Sequence, residues 1–321
     1  MKTNKKWIKR SIWTLATIFV LMNIVAIFHS YKFTHFTEQA VEKTKNPKKL
    51  NTVQKLNTLI FGVNNPRPTN QALPTSEFKT VYLNSNKKIA CWEIKTENSK
   101  GTVILFHGFS GSKSTMLDKA TVFKKLGYNT FLVDFMGSGG SEGNQTTVGF
   151  LEAEQVKTCF NYLSNKGEEN IYLFGTSMGA VAIMKAISDT EIHPKGIILE
   201  CPFGSMYQTV CARFTNMNTP TFPMASLLVF WGGIQNGFWG FNHNPKNYAK
   251  NINFPTLLLY GAKDDRVSIE EINDIFKNLN GVKTLKVYEK AGHENYLIQY
   301  QNEWTNDVEQ FFIQTTNSYI N

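Results

Sequence analysis

The pentapeptide Gly175-Thr-Ser-Met-Gly179 places a serine between two glycines, after the apolar run Ile171-Tyr-Leu-Phe174 and before the helix-forming run Ala180-Val-Ala-Ile-Met-Lys-Ala186. A strand that turns so sharply into a helix leaves no room for bulk at the flanking positions, and it pushes the serine hydroxyl into a cleft. Ser177 is therefore a candidate nucleophile. A Gly-x-Ser-x-Gly match arises by chance too readily to stand alone, and a serine hydroxyl attacks poorly at neutral pH. An imidazole must take its proton and return it to the leaving group, and the imidazolium needs a fixed carboxylate. Groups of these kinds follow in order: His107-Gly108 ends an earlier apolar run, Asp264 and Asp265 follow a later one, and Gly292-His293 lies near the C-terminus.

The elements that must position these groups are legible as alternation. From Phe78 onward short apolar runs alternate with helical stretches, the pattern of a parallel sheet covered on both faces. Residues 78–83 and 88–96 read as an opening hairpin. Further strands are expected over 102–106, 128–134, 171–174, 196–200, 256–260 and 284–288, and helices over 114–126, 147–163, 178–188, 268–279 and 296–312. The segment 203–252, rich in Phe, Trp and Met, is too long for an ordinary connection and reads as a lid.

At this point residues 77–315 resemble an α/β-hydrolase. The matching blocks are His107-Gly108-Phe109, Asp134-Phe-Met-Gly-Ser-Gly-Gly-Ser-Glu-Gly143, Gly175-Thr-Ser-Met-Gly179, Gly261-Ala-Lys-Asp264 with Val267, and Gly292-His293. The resemblance implies a mostly parallel eight-stranded sheet with helices on both faces and a catalytic triad in the chain order Ser, Asp, His. It assigns Ser177 as nucleophile, His293 as base and Asp264 as the acid, with the backbone N–H groups of Phe109 and Met178 as the oxyanion hole. Alternatives stand beside these assignments. His243, in the lid, competes for the base, and a solvated loop is the plain reading of His293. Asp265 and Glu200 compete for the acid, whereas Asp134 reads as a turn former.

The formal charge of +9 on 321 residues, 42% of them hydrophobic, raises nucleic-acid binding as a possibility. Its location removes that reading. Five cations fall within residues 1–10 and five lysines against two glutamates within 32–49, so the folded body is nearly neutral. Between Ser11 and Tyr31 no Asp, Glu, Lys or Arg occurs, enough helix to cover about 31 Å of hydrocarbon. This is read as an uncleaved transmembrane anchor, since a cleaved signal has a shorter apolar region ending in small residues. Positive charge crowds its N-terminal side, which implies a cytoplasmic N-terminus and an extracytoplasmic catalytic domain, although the lysines at 43–49 weaken that orientation.

The chain thus divides into residues 1–31, a cytoplasmic tip and membrane anchor; 32–76, a tether with a short amphipathic helix that packs on the body or rests on the membrane; and 77–321, the hydrolase domain. Four scattered cysteines form no Cys-x-x-Cys pair, and Cys201 with Cys211 is the one pairing an oxidising compartment could favour. No metal or cofactor is expected. The expected activity is hydrolysis of carboxylic esters or thioesters through an acyl-enzyme on Ser177, with a small-molecule or lipid-like acyl substrate. A peptidase or amidase on the same triad, and a tethered binding protein without turnover, are the alternatives.

Overall fold

The computed structural model describes residues 2–44 and 50–317. Lys45, Lys48 and Lys49, which bear on the orientation argument, lie outside the described residues.

Helix α1 (Lys2–Thr34) is long and apolar enough over Lys5–Thr34 to cross a membrane, and its most apolar stretch is only 6% buried. Helix α2 (Thr52–Phe61) begins with a reciprocal cap between Asn51 and Gln54 and buries none of its residues. Between and after these helices the chain is tied to the body. Phe36 N–H donates to Asn144 O at 2.6 Å, Gly139 N–H donates to Pro68 O at 2.8 Å, and the Arg67 guanidinium donates to the carbonyls of Gly143 and Ser141.

The body carries eight strands: β1 (Lys79–Asn84), β2 (Lys88–Ile94), β3 (Thr102–Phe106), β4 (Asn129–Val133), β5 (Ile171–Thr176), β6 (Gly196–Glu200), β7 (Thr256–Gly261) and β8 (Lys283–Tyr288). They form one sheet in the order β1-β2-β4-β3-β5-β6-β7-β8, antiparallel only where β2 meets β1 and β4. The central strands are apolar throughout because both faces are covered. Ile104 and Phe106 join the core under α4 (Glu152–Ser164) and α5 (Met178–Asp189), while Val103 and Leu105 join the core under α3 (Leu117–Lys125) and the C-terminal helices. Each such side chain contributes about 1.5–3 kcal/mol on leaving water.

Two helices differ from expectation at their starts. Residues 147–151 are not helical, because Thr146–Gly149 wraps around the buried Glu152 carboxylate: Thr146 Oγ1 and Thr147 N–H donate to Oε1 at 2.6 and 2.9 Å, and Gly149 N–H donates to Oε2 at 3.0 Å. Helix α3 likewise starts at Leu117, after a tighter turn over Lys113–Met116.

The lid contains α6 (Met206–Asn216), α7 (Met224–Gln235) and the short α8 (Pro245–Tyr248). Helix α9 (Ile269–Asn278) follows β7. The expected C-terminal helix is two pieces, α10 (Tyr296–Gln299) and α11 (Gln301–Asn317), broken at Tyr300, whose hydroxyl accepts from Lys290 N–H at 2.8 Å. All four cysteines are free thiols, Cys201 and Cys211 included.

Candidate active site

Ser177 stands at the junction of β5 and α5 with φ 51° and ψ −111°, a conformation that L-residues other than glycine seldom adopt. Tight packing enforces it. A Cβ on Gly175 would lie 2.5 Å from Ala180 N, and one on Gly179 would lie 2.3 Å from Phe106 O, so the turn closes only with glycine at both places. The Ser177 N–H donates to Glu200 O at 2.7 Å, which continues the β5–β6 ladder through the turn.

His293 comes from the loop after β8 and Asp264 from the loop after β7. The imidazole Nε2 is 3.0 Å from Ser177 Oγ, and Nδ1 is 2.7 Å from Asp264 Oδ2. Asp264 is fixed on its other side, since Oδ1 accepts the N–H groups of Arg266 and Val267 at 2.8 and 3.0 Å. Burial works against charge on His293, and the neighbouring Cys201 and Asp264 work for it, leaving its pKa above the ordinary histidine value.

Phe109 lies in the loop after β3 and lines the cavity, and Met178 opens α5 directly after Ser177. Neither backbone N–H has a hydrogen-bond acceptor among the described residues. His107 supports the β3 loop from behind: its Nε2 accepts from Phe135 N–H at 3.1 Å, so Nδ1 carries the proton and donates to Gly108 O at 2.8 Å.

The competing residues lie elsewhere. His243 is buried, with Nε2 donating to Val148 O and Nδ1 accepting from the Tyr248 hydroxyl, both at 3.0 Å, and burial lowers its pKa to about 4. It holds the lid to the body. Glu200 is buried behind the serine, accepting from Trp304 Nε1 at 2.6 Å and Thr176 Oγ1 at 2.9 Å, with Lys119 Nζ at 3.8 Å. Asp265 receives Asn216 Nδ2 on its backbone oxygen and does not meet His293. Asp134 pairs with the Lys113 ammonium and accepts Gly140 N–H at 2.9 Å, a loop-organising role.

Cys201, at φ 40°, brings its Sγ to 4.0 Å from His293 Nε2. Cys201, Asp264 and His293 offer ligand atoms within 4.8 Å of one another, the one such set among the described residues, but Asp264 Oδ2 and both imidazole nitrogens already have partners there.

A cavity of about 540 Å³ opens above Ser177 and His293. The lid supplies Met206, Val210 and Leu228, while Phe33 and Thr34 from the end of α1 supply the facing wall. Lid and helix are joined directly: Trp231 Nε1 donates to Asn23 Oδ1 at 2.9 Å, Gln235 Nε2 donates to Ile27 O at 2.9 Å, and Ser30 Oγ donates to Gln235 Oε1 at 3.0 Å. Sequence reasoning missed the α1 residues as part of the site. The one signal was Asn23 within an otherwise apolar helix, since a polar group at that depth needs a partner.

Comparison with known proteins agrees with the fold. A family model described as serine aminopeptidase, S33 (Hydrolase_4) matches residues 97–231, which include Ser177 but neither Asp264 nor His293. Uncharacterized protein YqkD of Bacillus subtilis is 23% identical over 224 residues, 68% of this chain and 73% of that protein. Uncharacterized membrane protein YNL320W of Saccharomyces cerevisiae is 26% identical over 235 residues, 72% and 78% of the two chains. Among solved structures, the Pyrococcus furiosus esterase Pf2001 superposes with a TM-score of 0.64 at 24% identity, covering 78% of this chain and 99% of that one.

Proposed function

The chain is an α/β-hydrolase by fold, and we propose that it is a serine ester hydrolase anchored to a membrane by α1. The observation that carries the reading is the unbroken line from Ser177 Oγ through His293 to Asp264, with links of 3.0 and 2.7 Å. His293 Nε2 takes the hydroxyl proton as Ser177 Oγ bonds to the substrate carbonyl carbon. The carbonyl electron pair moves onto oxygen, where the Phe109 and Met178 N–H groups stabilise it. Collapse expels the alcohol, protonated by His293, and leaves an acyl-serine that water cleaves by the same sequence. Asp264 holds the Nδ1–H tautomer throughout.

A peptidase or amidase is the second reading, and the description of the matching family model favours it. Capture of a free amino terminus needs a carboxylate, yet no acidic residue lines the cavity among the described residues. Most of its wall is apolar, which suits acyl chains. The packing of α7 against the stretch of α1 from Asn23 to Ser30 would set this lid helix at bilayer depth if the N-terminal span crosses as expected, with the catalytic domain on the outer side.

The deciding experiment compares 4-nitrophenyl esters of short and long chain with peptide anilides on wild type and Ser177→Ala. Ester hydrolysis that depends on Ser177 and exceeds anilide cleavage is expected. Faster anilide cleavage reverses the ranking, and no turnover of either by folded protein leaves the binding-protein alternative.

A further inference from the structure

The cavity contains a cationic group that the reaction above does not use. Arg213, in the last turn of α6, lies half-buried on the cavity wall with its Cζ 4.7 Å from the Phe33 ring centre and 6.0 Å from that of Phe109. The two rings stack on each other at 4.7 Å, so the guanidinium stands one ring away from the residue whose N–H faces the reacting carbonyl.

No described residue gives Arg213 a carboxylate or a hydrogen-bond acceptor. Its charge rests on the aromatic faces and the C-terminal end of α6. Lys43 and Arg266 line the same cavity, and no Asp or Glu does; Glu42, Asp264 and Asp265, their neighbours in sequence, are not among its lining residues. Burial and the closeness of Arg266 lower the Arg213 pKa to about 10, and burial with Arg266 and Arg213 lowers that of Lys43. Lys43 and Arg266 are exposed, whereas the half-buried Arg213 guanidinium, with no counter-charge from a described residue, gains most from an anion that joins it.

We propose that the substrate is a single-chain acyl ester whose alcohol part carries a phosphate or carboxylate, the anion pairing with Arg213 and the acyl chain lying on the wall shared by α1 and the lid. This rests on the ester-hydrolase reading and narrows it. A volume of about 540 Å³ suits one drug-sized ligand, hence one chain. Arg213 would act in positioning: a fork of donors holds the anionic group beside Phe109 and so presents the ester to Ser177.

The test uses the full-length protein in neutral-detergent micelles with 1-oleoyl lysophosphatidate and its uncharged counterpart 1-oleoylglycerol, with 4-nitrophenyl butyrate as a simple ester. Wild type should favour the phosphorylated lipid in kcat/KM by at least about tenfold, as a charge-assisted contact predicts. Arg213→Gln should erase the ratio and Arg213→Lys retain part of it. Fluorophosphonate labelling of Ser177 checks folding; should Arg213→Gln not fold, the Lys43→Gln/Arg266→Gln pair should raise KM for the phosphorylated lipid more than for the neutral one.

Equal or better cleavage of 1-oleoylglycerol by wild type, with Ser177-dependent hydrolysis of the butyrate, overturns the proposal and leaves the ester-hydrolase reading standing. Loss of butyrate hydrolysis as well overturns both. Strong competition by free glycerol 3-phosphate would reassign the subsite to a soluble phosphate and overturn the lipid source.

Discussion

Replacing Lys119 by Met isolates the buried network behind the nucleophile. The Lys119 ammonium, 1% exposed, lies 3.8 Å from the fully buried Glu200 carboxylate and donates to Asn295 Oδ1 at 2.6 Å. Breaking a buried ion pair costs about 3–5 kcal/mol. Glu200 keeps Trp304 and Thr176 as donors, so we expect the lower end, about 3 kcal/mol near pH 8.

The pH dependence has a definite sign. Burial raises the Glu200 pKa and Lys119 lowers it, so without Lys119 it rises further. The folded variant then binds a proton that the unfolded chain releases, and stability falls as pH rises between the unfolded and folded pKa values. Acidification should therefore shrink the deficit relative to wild type, by at most about 1.4 kcal/mol per pH unit. Urea denaturation of full-length protein in detergent, followed by tryptophan fluorescence at pH 5 and pH 8, measures this. A deficit under about 1 kcal/mol at pH 8, or one that grows on acidification, would refute the reasoning.

Other substitutions separate roles that the geometry assigns to neighbours. Asp264→Asn should lower kcat by about 10⁴ through the wrong imidazole tautomer, while Asp265→Asn should change it little; stopped-assay kinetics on a butyrate ester distinguish them. In wild type the acid limb of kcat/KM should lie above pH 6.5, because His293 must lose its proton to act and its pKa is raised. Gly179→Ala would set a methyl 2.3 Å from Phe106 O, and a loss of about 3 kcal/mol or complete insolubility is expected on expression and melting. His243→Ala should cost about 2 kcal/mol in melting experiments by stranding the Val148 carbonyl, while the Tyr248 hydroxyl keeps Asn242 O as its acceptor, yet leave Ser177 reactive in the folded fraction.

Features written locally were legible in the sequence. The run into Gly175-Thr-Ser-Met-Gly179 encodes its own turn, and the apolar strands announce a sheet covered on both faces. The Asp264 and Asp265 pair shows where local reading stops. Both are plausible acids by type, and their difference is that only Asp264 has its Oδ1 tied to the Arg266 and Val267 N–H groups, leaving Oδ2 aimed at His293. The start of α4 lies later than the periodic pattern predicts, because Thr147–Leu151, with two β-branched residues and Gly149, is spent wrapping the Glu152 carboxylate. Arg213 and Phe33 were invisible as a pair, being 180 positions apart and meeting only where the lid closes against α1.

The central claim is that Ser177 is the nucleophile activated by His293. Incubation of full-length protein with a fluorophosphonate, followed by peptide mapping by mass spectrometry, tests it directly. The account predicts one adduct, on Ser177, absent from Ser177→Ala and strongly slowed in His293→Ala; an adduct on another residue, or none on folded wild type, would contradict it.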